Sequence, residues 1–232
     1  MRAALIVLAF VAGACDGDLD PPWELDHDRV IAVRANPPGI VEGERSELDA
    51  LVSAKGGSAM EQAPLAATVV SPTSLASTLT NEEGKWIVSM PSPALLAAAR
   101  TELGLAADAP VPLQVGVGYV VNGVQLGALK RVWLGKRVAN PVLAEMIIDG
   151  EALDGKSELV VPKLVDVRFS VAAIPEDDVN WLTNVGEMHD FDLPEAYLRV
   201  EEDEELFAGQ LAVVKRDEDG GVVWRLWPIR VE

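Results

Sequence analysis

Few residues in this chain have both the type and the company to do chemistry. Cys15 is the only cysteine, so it has no disulfide partner within the chain. The two histidines each lie among carboxylates: Glu24, Asp26 and Asp28 surround His27, and Glu187, Asp190 and Asp192 surround His189. Such surroundings suit an acid–base pair or a bound cation. Zinc is disfavoured, because no repeated histidine spacing, HExxH motif or cysteine set accompanies them. Calcium at Asp190, Asp192 and nearby backbone oxygens is the better chemical fit. No nucleophile elbow is present to complete a Ser–His–Asp set. Solvated acidic loops are the simpler expectation for both histidines, and no catalytic residue is assigned.

The run Gly150-Glu151-Ala152-Leu153-Asp154-Gly155-Lys156-Ser157 satisfies the letter pattern of a phosphate-binding loop. That chemistry needs backbone amides and a helix N-terminus aimed at phosphate. The next residues, Glu158-Leu159-Val160-Val161-Pro162, are strand-like, and Glu151 and Asp154 would set carboxylates beside the phosphates. A turn between two strands is expected instead. Asp16, Asp18 and Asp20 alternate as in a calcium loop, but Pro21 stands where that loop needs glycine. A solvated spacer is the expectation there.

Cys15 has a telling position. Met1-Arg2 gives a positive start, Ala3 to Val11 is apolar but too short to span a bilayer, and Ala12-Gly13-Ala14 are small. This is secretory-signal architecture. The small triplet ending in cysteine resembles the lipobox of bacterial lipoproteins, with Ala12 where that family mostly carries leucine. The resemblance implies a diacylglycerol on the Cys15 sulfur, removal of residues 1–14, and usually acylation of the new N-terminus. It would also dispose of a thiol that is a liability in an oxidising compartment. Each buried methylene contributes about 0.8 kcal/mol, and stable anchoring takes more than one chain, so a multiply acylated Cys15 would hold firmly. In enteric members of that family an aspartate after the cysteine, as at Asp16, resembles an inner-membrane retention signal. Inner and outer membrane both stay open.

Composition narrows the partners. Acidic residues number 37 against 19 basic ones, for a net charge of −18. Such a surface is repelled by nucleic-acid phosphates and by anionic headgroups. The apolar fraction of 49% is well above that of a disordered acidic chain. An exported body of this length can bury one large core or two ordinary ones.

Short apolar runs alternate with turn signals from Arg29 onward. Val30–Ala35, Leu48–Ser53, Ala67–Ser71 and Trp86–Met90 read as strands. One helix interrupts them: Ser92 caps it, Pro93 suits its first turn, Leu95, Leu96, Ala99 and Leu103 share a face, and Gly104 ends it. Val111–Tyr119 and Val124–Leu134 form a hairpin around Asn122-Gly123. Arg137 to Pro141 reads as a boundary. Beyond it, Val142–Ile148, Leu159–Val161, Val165–Ala172, Val179–Thr183, Ala196–Val200, Gln210–Lys215 and Val222–Val231 read as a second series of strands, with Asp217 to Gly221 turning the last hairpin. This predicts an all-β chain of two sandwiches. Residues 1–14 are the signal, 15–28 an acylated cysteine and acidic tether, 29–138 a sandwich with the helix 92–103 inserted, and 139–232 a second sandwich.

Both halves resemble known modules. Ile31-Ala32-Val33-Arg34-Ala35-Asn36-Pro37-Pro38, then Gly43 and Leu48-Asp49-Ala50-Leu51-Val52, resembles the opening of bacterial immunoglobulin-like modules. Val179-Asn180-Trp181 with Gly186, Gly209 to Asp217 with Gly220-Gly221, and Ile229-Arg230-Val231 resemble polycystic-kidney-disease-type modules. Such families are mostly scaffolds and binding modules, and the fold alone assigns no activity.

The tryptophans add one constraint. Trp181 is expected in the second core. Trp224 and Trp227 have opposite parity on one strand and so point to opposite faces. One is core, and the other needs cover from the first domain, an edge loop or a partner; an exposed ring would be a sugar-stacking surface, and a domain interface is the favoured reading. Glu201-Glu202-Asp203-Glu204-Glu205 is expected to be a solvated acidic turn. The whole reads as a lipid-anchored cell-envelope lipoprotein, facing periplasm or exterior, whose body is a non-enzymatic structural or binding module. Its expected partners are membrane lipid through Cys15 and an envelope protein or polysaccharide, with no nucleic acid. The alternatives are calcium-stabilised adhesion or polysaccharide binding and, further off, an enzyme or nucleotide-binding protein using Gly150–Ser157. Apart from the Cys15 lipid and a calcium ion at Asp190 and Asp192, no cofactor is expected.

Overall fold

The computed structural model describes residues 21–143, 145–153 and 157–232. The first half carries nine strands and one α-helix. They are β1 (Arg29–Asn36), β2 (Gly39–Ile40), β3 (Arg45–Ser53), β4 (Met60–Gln62), β5 (Ala66–Ser71), β6 (Leu79–Glu82), β7 (Lys85–Ser89), α1 (Pro93–Leu103), β8 (Val111–Val121) and β9 (Val124–Leu134). The second half carries β10 (Met146–Ile148), β11 (Glu151–Leu153), β12 (Leu159–Val161), β13 (Val167–Ser170), β14 (Asp178–Thr183), β15 (Glu187–His189), β16 (Glu195–Arg199), β17 (Ala208–Arg216) and β18 (Val222–Val231).

One topology occurs twice. In the first half β1-β3-β7-β6 form one sheet, with β4 also on β3, and β2-β9-β8-β5 the other. In the second half β11-β10-β13-β16-β15 face β12-β18-β17-β14. In each half a short strand runs parallel to the last one, β2 beside β9 and β12 beside β18. Leaving out those short strands and the additions β4 and β11, each half has the ABED and GFC sheets of an immunoglobulin-type sandwich. The chain is therefore all-β, two immunoglobulin-like sandwiches with one short helix in the first.

Alternation along the strands sets each core. Val111, Leu113, Val115, Val117, Tyr119 and Val121 point into the first sandwich with Leu48, Ala50 and Val52 opposite. Phe169, Trp181, Met188, Leu198, Val213 and Trp227 fill the second. Phe169 and Trp181 stack at 5.8 Å between ring centres. The β8–β9 hairpin turns at Asn122 (φ 48) and Gly123 (φ 80), the doubly left-handed pair that matches strand twist. Helix α1 starts where Ser92 Oγ accepts from the Leu95 amide at 3.4 Å and stops at Gly104 in the left-handed region. Leu96 and Ala99 are buried, but Leu95 is exposed; it sits about 100° round the helix from Leu96 and falls outside the apolar stripe.

A third apolar cluster joins the halves. Ala32 and Leu51 on the outer face of the β1–β3 sheet, with Leu25 and Ala59, pack on Leu182, Ala212, Val214, Val222 and Trp224 of the β14–β17–β18 sheet. Polar contacts surround it. Lys130 Nζ donates to the Gly220 carbonyl at 2.6 Å, Trp133 Nε1 to the Asp219 carbonyl at 2.9 Å, and Lys136 pairs with the Asp219 carboxylate at 2.6 Å. The basic end of β9 thus holds the acidic turn of the β17–β18 hairpin. Asn140, in the expected boundary, donates to the Ala35 carbonyl at 3.0 Å and accepts from the Val222 amide at 2.9 Å.

The segment 21–28 differs from the expected tether. The Leu25 amide donates to the Thr183 carbonyl at 2.8 Å and the Thr183 amide to the Trp23 carbonyl at 2.9 Å. Leu25 is fully buried in the junction and Trp23 packs on the second core. Two large apolar side chains recover more by burial than an acidic spacer recovers by solvation, so the segment is a strap across both sandwiches.

Candidate functional site

Cys15 and the aspartates Asp16, Asp18 and Asp20 lie outside the described residues, as do Asp154, Gly155 and Lys156 of the Gly150–Ser157 run. The described remainder of that run is a hairpin. Gly150 (φ 91) turns β10 into β11, and β12 begins two residues after Ser157. No helix starts there among the described residues, so the amide array of a phosphate loop has no counterpart in them.

The histidines do not converge. His27 belongs to the strap, with Nε2 3.5 Å from Glu24 and its carbonyl accepting from Ser53 Oγ at 2.7 Å. His189 ends β15 on the outer face of the second sandwich, with Nε2 3.8 Å from Glu187. Asp190 adopts φ 54, and its carbonyl accepts from the Leu193 amide at 3.0 Å in the turn that carries Asp192. Among the described residues no group of three or more His, Cys, Asp or Glu side chains is gathered closely enough to hold a metal ion.

Trp227 is in the second core, and Trp224 faces the first sandwich. The Trp224 indole N–H donates to Glu61 at 2.7 Å. Neither ring offers an open stacking face.

One open site lies beside Tyr197, on the outer face of the second sandwich. Val167, Phe169, Met188, Ala196 and Leu198 point inward, so alternation turns Arg168, Ser170, His189, Glu195 and Tyr197 outward. Register aligns them: Arg168 pairs with Tyr197 and Tyr197 with His189, while Ser170 lies between Ile147 and Glu195. The His189 and Tyr197 rings stack at 4.4 Å and 7°. Tyr197 borders a depression of about 580 Å³ whose other walls include Ile147, Asp149, Arg168, Asp190 and Glu195. That volume falls within the range of about 300–1,000 Å³ usual for small-ligand sites. Asp149 Oδ1 accepts from the Arg168 amide at 3.1 Å and the Asp149 amide donates to the Arg168 carbonyl at 3.0 Å, which fixes the rim. Tyr197 and Arg168 carry no motif, and only the pairing of β13, β16 and β15 brings them beside His189.

Titratable groups elsewhere serve the frame. Burial lowers the Lys130 ammonium to about 8, against the attraction of Asp217. Burial works to raise the Asp177 carboxyl, but hydrogen bonds from Lys215 and the Ile174 amide, with the Lys215 charge, hold it below its ordinary value.

No family model matches the chain, and no curated protein matches its sequence. Among solved structures it is similar to a nucleoside hydrolase-related hypothetical protein from Saccharophagus degradans associated with carbohydrate metabolism, at 12% identity and TM-score 0.32 over 41% of this chain. The chain spans 26% of that protein's length. It is also similar to the protocadherin GammaB4 extracellular domain (10% identity, TM-score 0.25, 86% of this chain and 32% of that one). Immunoglobulin domains 1–4 of Sidekick-1 match at 10% identity and TM-score 0.25, over 88% of this chain and 48% of that one. The last two neighbours are cadherin- and immunoglobulin-type sandwiches, and the likeness is weak.

Proposed function

We propose that this chain is a lipid-anchored cell-envelope lipoprotein whose exported body is a rigid, non-enzymatic binding module. One observation supports the module most: the apolar junction built on Leu25, Leu51, Leu182, Val214 and Trp224. It fixes one sandwich against the other, where separate domains on a short linker would move. A fixed block keeps its outer faces at constant spacing, which suits presentation of a surface. The residues with catalytic potential are dispersed over the strap, the β10–β11 turn and the outer face of the second sandwich. The anchor rests on the apolar segment ahead of Ala12-Gly13-Ala14-Cys15. From Cys15 to Pro21 the chain reaches no more than about 22 Å, so the start of the strap stays near the bilayer.

Fractionation of cells grown with labelled palmitate tests this reading. The wild-type chain is expected in the membrane fraction with label, and Cys15→Ser is expected unlabelled and soluble. A soluble, unlabelled wild-type chain overturns it.

A further inference from the structure

We propose that the depression beside Tyr197 binds a neutral pyranose unit of a glycan. This rests on the binding-module reading and names the ligand of its open face. A pyranose has an apolar C–H face and a rim of hydroxyls, each able to donate and accept. The site offers a matching flat ring and a matching rim. The Tyr197 ring is held from outside the depression by His189, stacked 4.4 Å away at 7°, while Tyr197 itself borders the cavity and His189 does not. An aromatic ring already fixed in place loses little freedom when a ligand stacks on it. Ile147, two strands away on the same sheet, adds an apolar part to the lining.

The rim groups are uncommitted. Among the described residues the Arg168 guanidinium, the Glu195 carboxylate and the Tyr197 hydroxyl form no hydrogen bond or ion pair. Carboxylates accept from sugar hydroxyls and a guanidinium donates to them. Asp149, Asp190 and Glu195 outnumber the single cation Arg168 around the cavity, and this disfavours anionic glycans. A wholly apolar ligand would leave those polar groups desolvated and unpaired.

Calorimetric titration of the full-length chain in detergent tests the proposal. The probes are neutral oligosaccharides of β-glucan, α-glucan, mannan, xylan and chitin, with oligolysine as the cationic control. At least one neutral oligosaccharide is expected to bind. Tyr197→Ala is expected to weaken it by about tenfold or more, with Tyr197→Phe close to wild type because the ring remains. Glu195→Gln, an exposed change that spares the sheet, is expected to weaken binding without moving the melting temperature. The proposal is overturned if no neutral probe binds at millimolar concentration, if Tyr197→Ala binds as wild type, or if oligolysine alone binds. Its failure is separable from failure of the anchor, since sugar binding in detergent does not depend on where the chain fractionates.

Discussion

The guanidinium carbon of Arg34 lies 4.0 Å from the centre of the Trp224 ring, joining the first sandwich to the second. Arg34 is itself held by Asp49 at 2.5 Å and lies 3.7 Å from Glu61, which also accepts the Trp224 indole N–H. The Arg34 guanidinium, braced by Asp49, and the Glu61 carboxylate of one sandwich thus hold a single aromatic side chain of the other.

Replacing that side chain should uncouple the halves. Trp224→Ala is expected to cost about 3–5 kcal/mol. Each sandwich keeps its own core, so calorimetry is expected to resolve one unfolding transition into two. A single transition at an unchanged temperature would show that the junction contributes little.

Leu25 distinguishes a docked strap from a free spacer. It is fully buried, and Leu25→Ala is expected to destabilise the protein by about 2–5 kcal/mol in urea unfolding. In a solvated spacer the same change would be neutral.

The strap and the open site show where the sequence stops being legible. Ser92, Pro93 and Gly104 mark the helix because caps act within a few residues, and Asn122-Gly123 marks its hairpin for the same reason. The parity of Trp224 and Trp227 places them on opposite faces without any tertiary knowledge. Strands β2, β4, β6, β11 and β15 are too short for a period to register. Val142–Ile148 reads as one strand, yet among its described residues only Met146–Ile148 are in a strand, since apolar content alone does not supply a neighbouring strand. Burial of Trp23 and Leu25 beside acidic residues depends on the distant edge of β14. The Arg168–Tyr197–His189 row likewise exists only through cross-strand register.

Lys130 should make stability rise at alkaline pH. Its ammonium is lowered from 10.5 to about 8 in the fold, chiefly by burial. Below about pH 8 the charge is present in both states, and its burial opposes folding. Between about 8 and 10.5 the unfolded chain binds more protons than the folded one, so stability increases with pH through that window. Urea midpoints measured from pH 7.5 to 10.5 are expected to rise more for wild type than for Lys130→Met. Parallel profiles would contradict this.

Asp177 should act at the acid end. Lys215 Nζ lies 2.7 Å from its carboxylate and both side chains are largely covered, at 9% and 4% exposure. A carboxyl held below its unfolded value stabilises the fold above that value, and the contribution is lost as pH falls through the folded value. Asp177→Asn is expected to lower the urea midpoint at neutral pH, because it leaves the Lys215 ammonium covered and without its counter-charge. It is also expected to flatten the decline below about pH 4. An unchanged midpoint at neutral pH would count against the pair.

The anchor is tested most directly by the intact mass of the protein extracted from membranes. The expected mass is that of a chain beginning at Cys15 and carrying diacylglyceryl and acyl groups. A mass corresponding to a chain intact from Met1, with the Cys15 sulfur unmodified, would contradict it.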